Sequence, residues 1–578
     1  MCKRLLQCDV YGRDICRLQW QIAVLYLVLL TAVEARRDCF VDTRLGPVKG
    51  STEKSRNGKP FCSFRGIPYA APPIGELRFE APQSLSPWSK VLNARHNGPV
   101  CIQKLLGLVV GREDCLYLNV YTPERPTDDR AKLPVIVYIH GGRYSVGSGV
   151  SYAAGPWYML DKDVVLVTIN YRLGVMGFLS TGDDVAPGNY AMKDQVAALR
   201  WVRDNIEQFG GDAERVTIQG QSAGSKSVHF HMFSPSSRGL FHRAISQSGS
   251  AFMPWVLPPA DPLAKAKEQA EVVGCPATNS AALVRCLRGM EAKDIVKKEL
   301  ELWQPVLESK SASNPEPFLT LAPLQLVQTG EFYKVPWLMG STSEDGAFFG
   351  ARNITDHSEV EQFSEHMDVQ GPEDFFLKLS LNESLIPETW QRIRSFYFGK
   401  KEIPDPSDLI KLYTDRYVVH AVHKAAILHS EAGHEPIYRY NFAYRGLYSF
   451  GDLAEIGSTH MNLGVVHMDD LIYLIPLPVF NVWPAGHPDK RVIDTMVTLF
   501  TNFATYGNPT PSGGKSEVKW LPFSVNNRSY MNIAHDMSQT PGFYGIRPVR
   551  LSMEHDLYKD RMEFWDSLPL KENADDFE

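Results

Sequence analysis

The chain has 578 residues, 44% hydrophobic and 22% charged, a mixture that can bury a core and that excludes an intrinsically disordered chain. Its 43 Gly and 39 Pro are too few for a collagen-like or low-complexity protein. The 60 basic and 66 acidic side chains leave a net charge of -6, which excludes the basic footprint of a nucleic-acid binder or of a protein that coats an anionic membrane.

In chain order, Lys3, Arg4, Arg13 and Arg17 precede an apolar run from Ile22 to Val33. That run has the length of a signal-peptide core and falls short of the ~20 residues a membrane span requires. Val33-Glu34-Ala35 places small residues where a signal peptidase reads. Residues 1–35 are therefore predicted to be a signal peptide and 36–578 the mature chain, with an uncleaved signal anchor as the competing reading. No second apolar stretch of spanning length follows, and Lys571 to Glu578 is polar, without a tail anchor or GPI signal. The protein is expected to be secreted, soluble and extracellular. Three of the nine cysteines lie in the leader. The remaining six allow 15 pairings. Local closure favours Cys101–Cys115 and Cys275–Cys286, each worth up to roughly 3 kcal/mol in the chain-entropy model, and leaves Cys39 to Cys62. Sequons at Asn353, Asn382 and Asn527 fit an exported glycoprotein, whereas Pro509 disqualifies Asn508.

Val41 to Tyr69 reads as short strands broken at Gly46 and Gly58. Val135 to Ile139 and Val164 to Ile169 are continuous β-branched runs, the pattern of strands covered on both faces. Gln195 to Phe209 has helical spacing and stops at Gly210-Gly211. Val216 to Ile218 is a strand, and Gly220-Gln221-Ser222-Ala223-Gly224 leads from it into a helical stretch reaching about Phe233. This alternation predicts an α/β protein with a mostly parallel sheet flanked by helices. No repeat or linker divides the chain, so one large domain is expected. The C-terminal third is more helical, with Leu409 to Glu431 its longest amphipathic segment.

G-x-S-x-G is common on its own; its position between strand and helix makes it a nucleophile elbow with Ser222 at its tip. The glycines permit a turn in which a flanking side chain would meet backbone, and the following helix presents unpaired N–H groups to developing negative charge. Directly after Ile139 comes His140-Gly141-Gly142-Arg143-Tyr144, a loop of the kind that supplies oxyanion donors. An acid and a histidine should follow in that order. The candidates lie in Gly340-Ser341-Thr342-Ser343-Glu344-Asp345-Gly346 and in Gly464-Val465-Val466-His467-Met468-Asp469-Asp470. His429 and His434, five apart, do not share a helical face and are set aside as a metal pair; His229 and His231 are read as core or surface residues. No metal and no cofactor are implied.

With the elbow in place, the chain resembles the carboxylesterase/cholinesterase family of α/β-hydrolases over essentially its whole mature length. The blocks that carry the resemblance are Phe64 to Ala70, Glu113 to Val120, Asn170 to Gly174, Gly188-Asn189-Tyr190, Phe209 to Asp212, Gln247 to Ser250 and Thr501 to Ala504. Gln221 inside the elbow is similar to insect esterases, including juvenile hormone esterases. The resemblance implies an α/β-hydrolase fold and a serine carboxylesterase. It makes Ser222 the nucleophile, His467 the base and Asp345 the acid, with backbone amides of Gly142, Arg143 and Ala223 as the oxyanion hole. It also implies disulfides Cys101–Cys115 and Cys275–Cys286.

Two positions depart from the family. Asp345 stands where Glu is usual, and Glu344 beside it is the alternative acid. Arg143 stands where Gly or Ala is usual, so its side chain must point away or narrow the pocket. The Cys101–Cys115 loop lacks the tryptophan that cholinesterases use for choline and is apolar from Leu105 to Val110, so the expected substrate is a lipophilic, uncharged ester. The rival reading is a catalytically weak or inactive adhesion or binding protein on the same scaffold; a scavenger of acylating poisons is a third.

Overall fold

The computed structural model describes residues 39–573 apart from 125–130, 257–260, 455–460, 481–482, 484–485, 515 and 543–544; the signal peptide and cleavage point predicted from the sequence lie outside the described residues. Among the described residues eleven strands form the central sheet: β1 (Ser51–Lys54), β2 (Pro60–Pro68), β3 (Tyr117–Pro123), β4 (Leu133–Ile139), β5 (Val165–Ile169), β6 (Gly211–Gln221), β7 (Arg243–Gln247), β8 (Trp337–Thr342), β9 (Ile437–Ala443), β10 (Ser529–His535) and β11 (Val549–His555). Their order is β11-β10-β9-β8-β7-β6-β4-β5-β3-β2-β1. From β5 through β4 and β6 to β10 every neighbour is parallel; both margins are antiparallel.

The apolar runs are explained by what covers the sheet. Along β4, Val135, Val137 and Ile139 enter one hydrophobic core, while Ile136 and Tyr138 enter another on the opposite face. Helix α1 (Tyr190–Asn205) and helix α2 (Ala223–Phe233) contribute to the first core. Helix α5 (Asp489–Tyr506) covers the second with Val492, Met496 and Phe500. A strand enclosed on both sides has no polar face, so period-2 alternation disappears. A third cluster, including Trp390, Tyr413 and Trp565, packs around α3 (Ala347–Thr355).

The segment read as one amphipathic helix from Leu409 to Glu431 is instead three helical pieces. Pro406–Thr414 runs into a π-helical turn, Asp415–Val419, and then α4 (His420–Glu431). The π turn buries Asp415 and Arg416, which meet Arg561 and Glu572 near the C-terminus. The longest single helix among the described residues is α5, with 18 residues. No described helix is long and apolar enough to cross a membrane.

Disulfides join Cys39 to Cys62, Cys101 to Cys115 and Cys275 to Cys286, with Cα separations of 5.8, 4.9 and 5.8 Å. The loop closed by Cys101–Cys115 carries a two-stranded hairpin, Gln103–Leu105 and Leu108–Val110, whose Leu105, Leu106 and Leu108 are exposed. Asn382 and Asn527 are exposed as well. Asn353 is half-buried in α3, where its Nδ2 donates to the Tyr413 hydroxyl at 2.8 Å.

Candidate active site

Ser222, the 140–144 loop, Asp345 and His467 all lie beyond the C-terminal ends of parallel strands β6, β4, β8 and β9, the edge on which open α/β sheets place their ligands. Ser222 sits between β6 and α2 at φ 58° and ψ -120°, a region a serine occupies only where surrounding structure imposes it. The flanking glycines follow from close approach. A Cβ at Gly220 would stand 2.2 Å from the Gly224 carbonyl, and one at Gly224 would stand 2.0 Å from the Ile139 carbonyl oxygen. The elbow therefore closes only without side chains there, and Ser222 N–H is pinned to the Gln247 carbonyl at 2.9 Å.

The loop after β4 lies against this turn: a Cβ at Gly141 would come within 3.1 Å of the Ser222 Cβ. His140 stacks on Tyr171 with centroids 4.3 Å apart, and the Tyr171 hydroxyl donates to the His140 carbonyl at 2.7 Å. Burial pushes the His140 imidazole down to about 4, so it anchors the loop as a neutral ring. Arg143 has φ 57°, and its side chain turns outward, 62% exposed, with Glu301 at 3.5 Å. Among the described residues the N–H groups of Gly142, Arg143 and Ala223 have no intramolecular acceptor. Three unclaimed amides beside one serine can solvate an oxyanion.

The Asp345 carboxylate is fully buried and meets His467 Nδ1 at 2.5 Å through Oδ1. Its Oδ2 accepts from Ser248 Oγ at 2.6 Å and from the Thr342 amide at 2.9 Å. Glu344 points elsewhere, its Oε2 accepting from the Val465 amide at 2.8 Å and from Ser343 Oγ at 2.5 Å. Because Nδ1 donates to Asp345, His467 Nε2 is an acceptor, and the Gln221 side-chain amide donates to it at 3.1 Å. Ser222 Oγ makes no hydrogen bond to His467 among the described residues, although both line the same cavity of about 160 Å³. Behind Gln247, Asp470 accepts from the Gln247 amide at 2.9 Å and the Tyr440 hydroxyl at 2.6 Å; burial raises its affinity for a proton.

The apolar wall of the cavity is not the Cys101–Cys115 loop. Its leucines are solvent-exposed on their own hairpin and do not line the cavity. The wall is built from Met253, Trp255, Leu302, Phe349, Phe376 and Tyr417, together with Lys226 from α2. These wall positions carry no motif, and although Ser248 and Gln221 lie in motif blocks, their contacts to Asp345 and His467 come from a convergence of segments that only the fold reveals.

The set-aside histidines have a different arrangement from the one their spacing indicates. Gly433 terminates the chain's helical path, and His434 returns to His429, with their Nδ1 atoms 3.0 Å apart; His429 Nε2 meets His229 Nε2 at 2.9 Å. All three are buried, linked to one another and not grouped around a cation position.

Residues 37–565 match the model of the carboxylesterase family. The chain is 39% identical over 564 residues to a juvenile hormone esterase of Tribolium castaneum, covering 93% of this chain and 95% of that protein. It is 40% identical over 507 residues to esterase FE4 of Myzus persicae, covering 84% and 87%. The crystal structure of a juvenile hormone esterase from Manduca sexta, with OTFP covalently attached, superposes with a TM-score of 0.79 at 29% identity, covering 92% of this chain and 99% of that one.

Proposed function

The chain belongs to the carboxylesterase family of α/β-hydrolases and is a carboxylic ester hydrolase acting on small-molecule esters, and from that premise we propose that it is a secreted serine esterase that cleaves lipophilic esters through Ser222, His467 and Asp345. The observation that carries this reading is the buried Asp345–His467 hydrogen bond of 2.5 Å opening onto the cavity that Ser222 lines. Asp345 fixes the tautomer that leaves Nε2 free of a proton. When the Gln221 amide swings aside, Nε2 takes the Ser222 proton as Oγ attacks the ester carbonyl. The amides of Gly142, Arg143 and Ala223 hold the oxyanion, each such donor being worth about 3 kcal/mol of barrier. His467 then protonates the leaving alkoxide, and water repeats the sequence to release the acid. The aromatic wall from Trp255 to Tyr417 supports an apolar substrate. Three disulfides and the leader's composition support export, with Asn382 and Asn527 as exposed glycan acceptors and Asn353 as a third candidate. A complete set of groups in all three catalytic roles speaks against the adhesion reading.

The test is hydrolysis of a nitrophenyl ester series by the exported protein beside Ser222→Ala. Turnover should fall at least 1,000-fold in the variant while its thermal midpoint is retained. Equal turnover in the two proteins would remove Ser222 from the reaction. Two relatives named juvenile hormone esterase make that hormone an ester to include.

A further inference from the structure

Lys226 is the residue of this cavity that ester hydrolysis leaves without a role. Its backbone N–H donates to the Ser222 carbonyl at 3.0 Å, so it stands one helical turn beyond the nucleophile on the same face of α2. The residue is 4% exposed, and its ammonium lies 4.9 Å from the centroid of the Trp255 ring. Among the described residues it has no carboxylate partner and no side-chain hydrogen bond. The other ionisable side chains lining the cavity are Arg143, Tyr417 and His467, and no described carboxylate lines it. Arg143 is turned to solvent beside Glu301, and Asp345 is committed to His467. The first turn of α2 adds the positive end of a helix dipole to the two cations.

A buried cation without a counter-ion is costly, and a cation in the first turn of a helix doubly so. Burial, and after it the nearby Arg143, push Lys226 down to about 7. A carboxylate arriving with the substrate would reverse both effects. We propose that Lys226 selects for esters that carry an anionic group, so that the cavity takes an apolar ester with a carboxylate placed within reach of the Lys226 ammonium. This rests on the reading of Ser222 as nucleophile. The same two cations disfavour a choline ester, even though the wall is aromatic.

The experiment compares kcat/KM for pairs in which a carboxylate replaces a primary amide: nitrophenyl adipamate (5-carbamoylpentanoate) against mono-nitrophenyl adipate on the acyl side, and 4-butyryloxybenzamide against 4-butyryloxybenzoate on the alcohol side, with spontaneous hydrolysis subtracted. In the wild-type protein the carboxylated ester should match or exceed its neutral counterpart on at least one side. Lys226→Met should lower that ratio at least tenfold, and Lys226→Arg should hold it within about threefold. Titration of Ser222 with a fluorophosphonate counts competent sites in every preparation, so misfolded variants are recognised; if neither variant folds, the wild-type ratio and its decline with ionic strength decide. A wild-type protein that disfavours both carboxylated esters tenfold, or a Met variant with an unchanged ratio, would overturn the proposal and leave the esterase intact. A protein that hydrolyses no ester and binds no fluorophosphonate would sink the Ser222 reading itself, and this inference with it.

Discussion

Glu344 and Asp345 are adjacent in the chain and differ by one methylene, yet only one of them meets the histidine. Glu344 is drawn into the 464–465 turn by the Val465 amide, whereas Asp345 is held from two sides by Ser248 and Thr342 with its free oxygen on His467. The shorter acid suffices because the turn after β8 brings the backbone close. Asp345→Asn should lower kcat by roughly 10⁴, since the amide would favour the wrong imidazole tautomer. Glu344→Gln keeps an acceptor for the Val465 amide, and its kcat should stay within about threefold of wild type. Steady-state kinetics on one neutral ester separates the two, and the reverse ranking would transfer the acid's role to Glu344. At this scale the elbow serine was legible because its glycines have a local cause. The acid is legible as Asp345 only through the family resemblance, with Glu344 beside it as the alternative, and the sign of the cavity is not legible. Lys226 sits at a readable helical register, but whether it faces a carboxylate depends on Trp255, Phe349 and Tyr417, which arrive from distant segments.

At the scale of elements, the legible strands were those enclosed on both faces. β4 and β5 announce themselves as apolar runs; β9 does not, because Arg439 and Asn441 are buried within it. β10 and β11 alternate weakly at an antiparallel margin, and strand order across the sheet is set by long connections with no local signature. The Leu105–Val110 segment shows the converse: apolar composition marks burial only where another element covers it, and here Val109 packs against the core while Leu105, Leu106 and Leu108 face solvent. The contact between α2 and β4 is where element packing and chemistry coincide. Gly224→Ala would force a methyl group toward the Ile139 carbonyl oxygen, and backbone on both sides leaves no side chain to yield. The helix must lift from the strand, costing about 1–3 kcal/mol and displacing the Ala223 amide from the oxyanion position. Both the thermal midpoint and kcat should fall. A variant with wild-type kcat would show that the elbow tolerates a wider gap than this packing implies.

Across the whole molecule, the buried ionisable groups set how stability responds to acid. Burial pushes His140, His423 and His434 down to about 4, His229 and His231 to about 3, and His429 well below its ordinary value. Three of them form a directional chain: the Ala251 amide donates to His229, His229 to His429, His429 to His434, and His434 to the Val335 carbonyl. Every ring in it is neutral, and an added proton has no acceptor. In the unfolded chain a histidine takes its proton near pH 6.5. Between that point and about pH 4, unfolding therefore takes up protons, and each such histidine removes stability at up to ~1.4 kcal/mol per pH unit as the pH falls. Burial raises Glu299 and Asp469 to about 7 and Asp374 to about 6. These act oppositely: the folded chain keeps their protons through the same window, and that contribution is lost as the pH rises. Burial raises Asp415 and Asp470 in the same sense and lowers His242, so seven imidazoles oppose five carboxyls and the histidines dominate. The thermal midpoint, read at one scan rate and constant ionic strength, should hold near neutrality and decline steadily from pH 6.5 to 4. A midpoint that is flat or rises on acidification would mean that the buried carboxyls, not the histidine chain, govern the fold's response to protons.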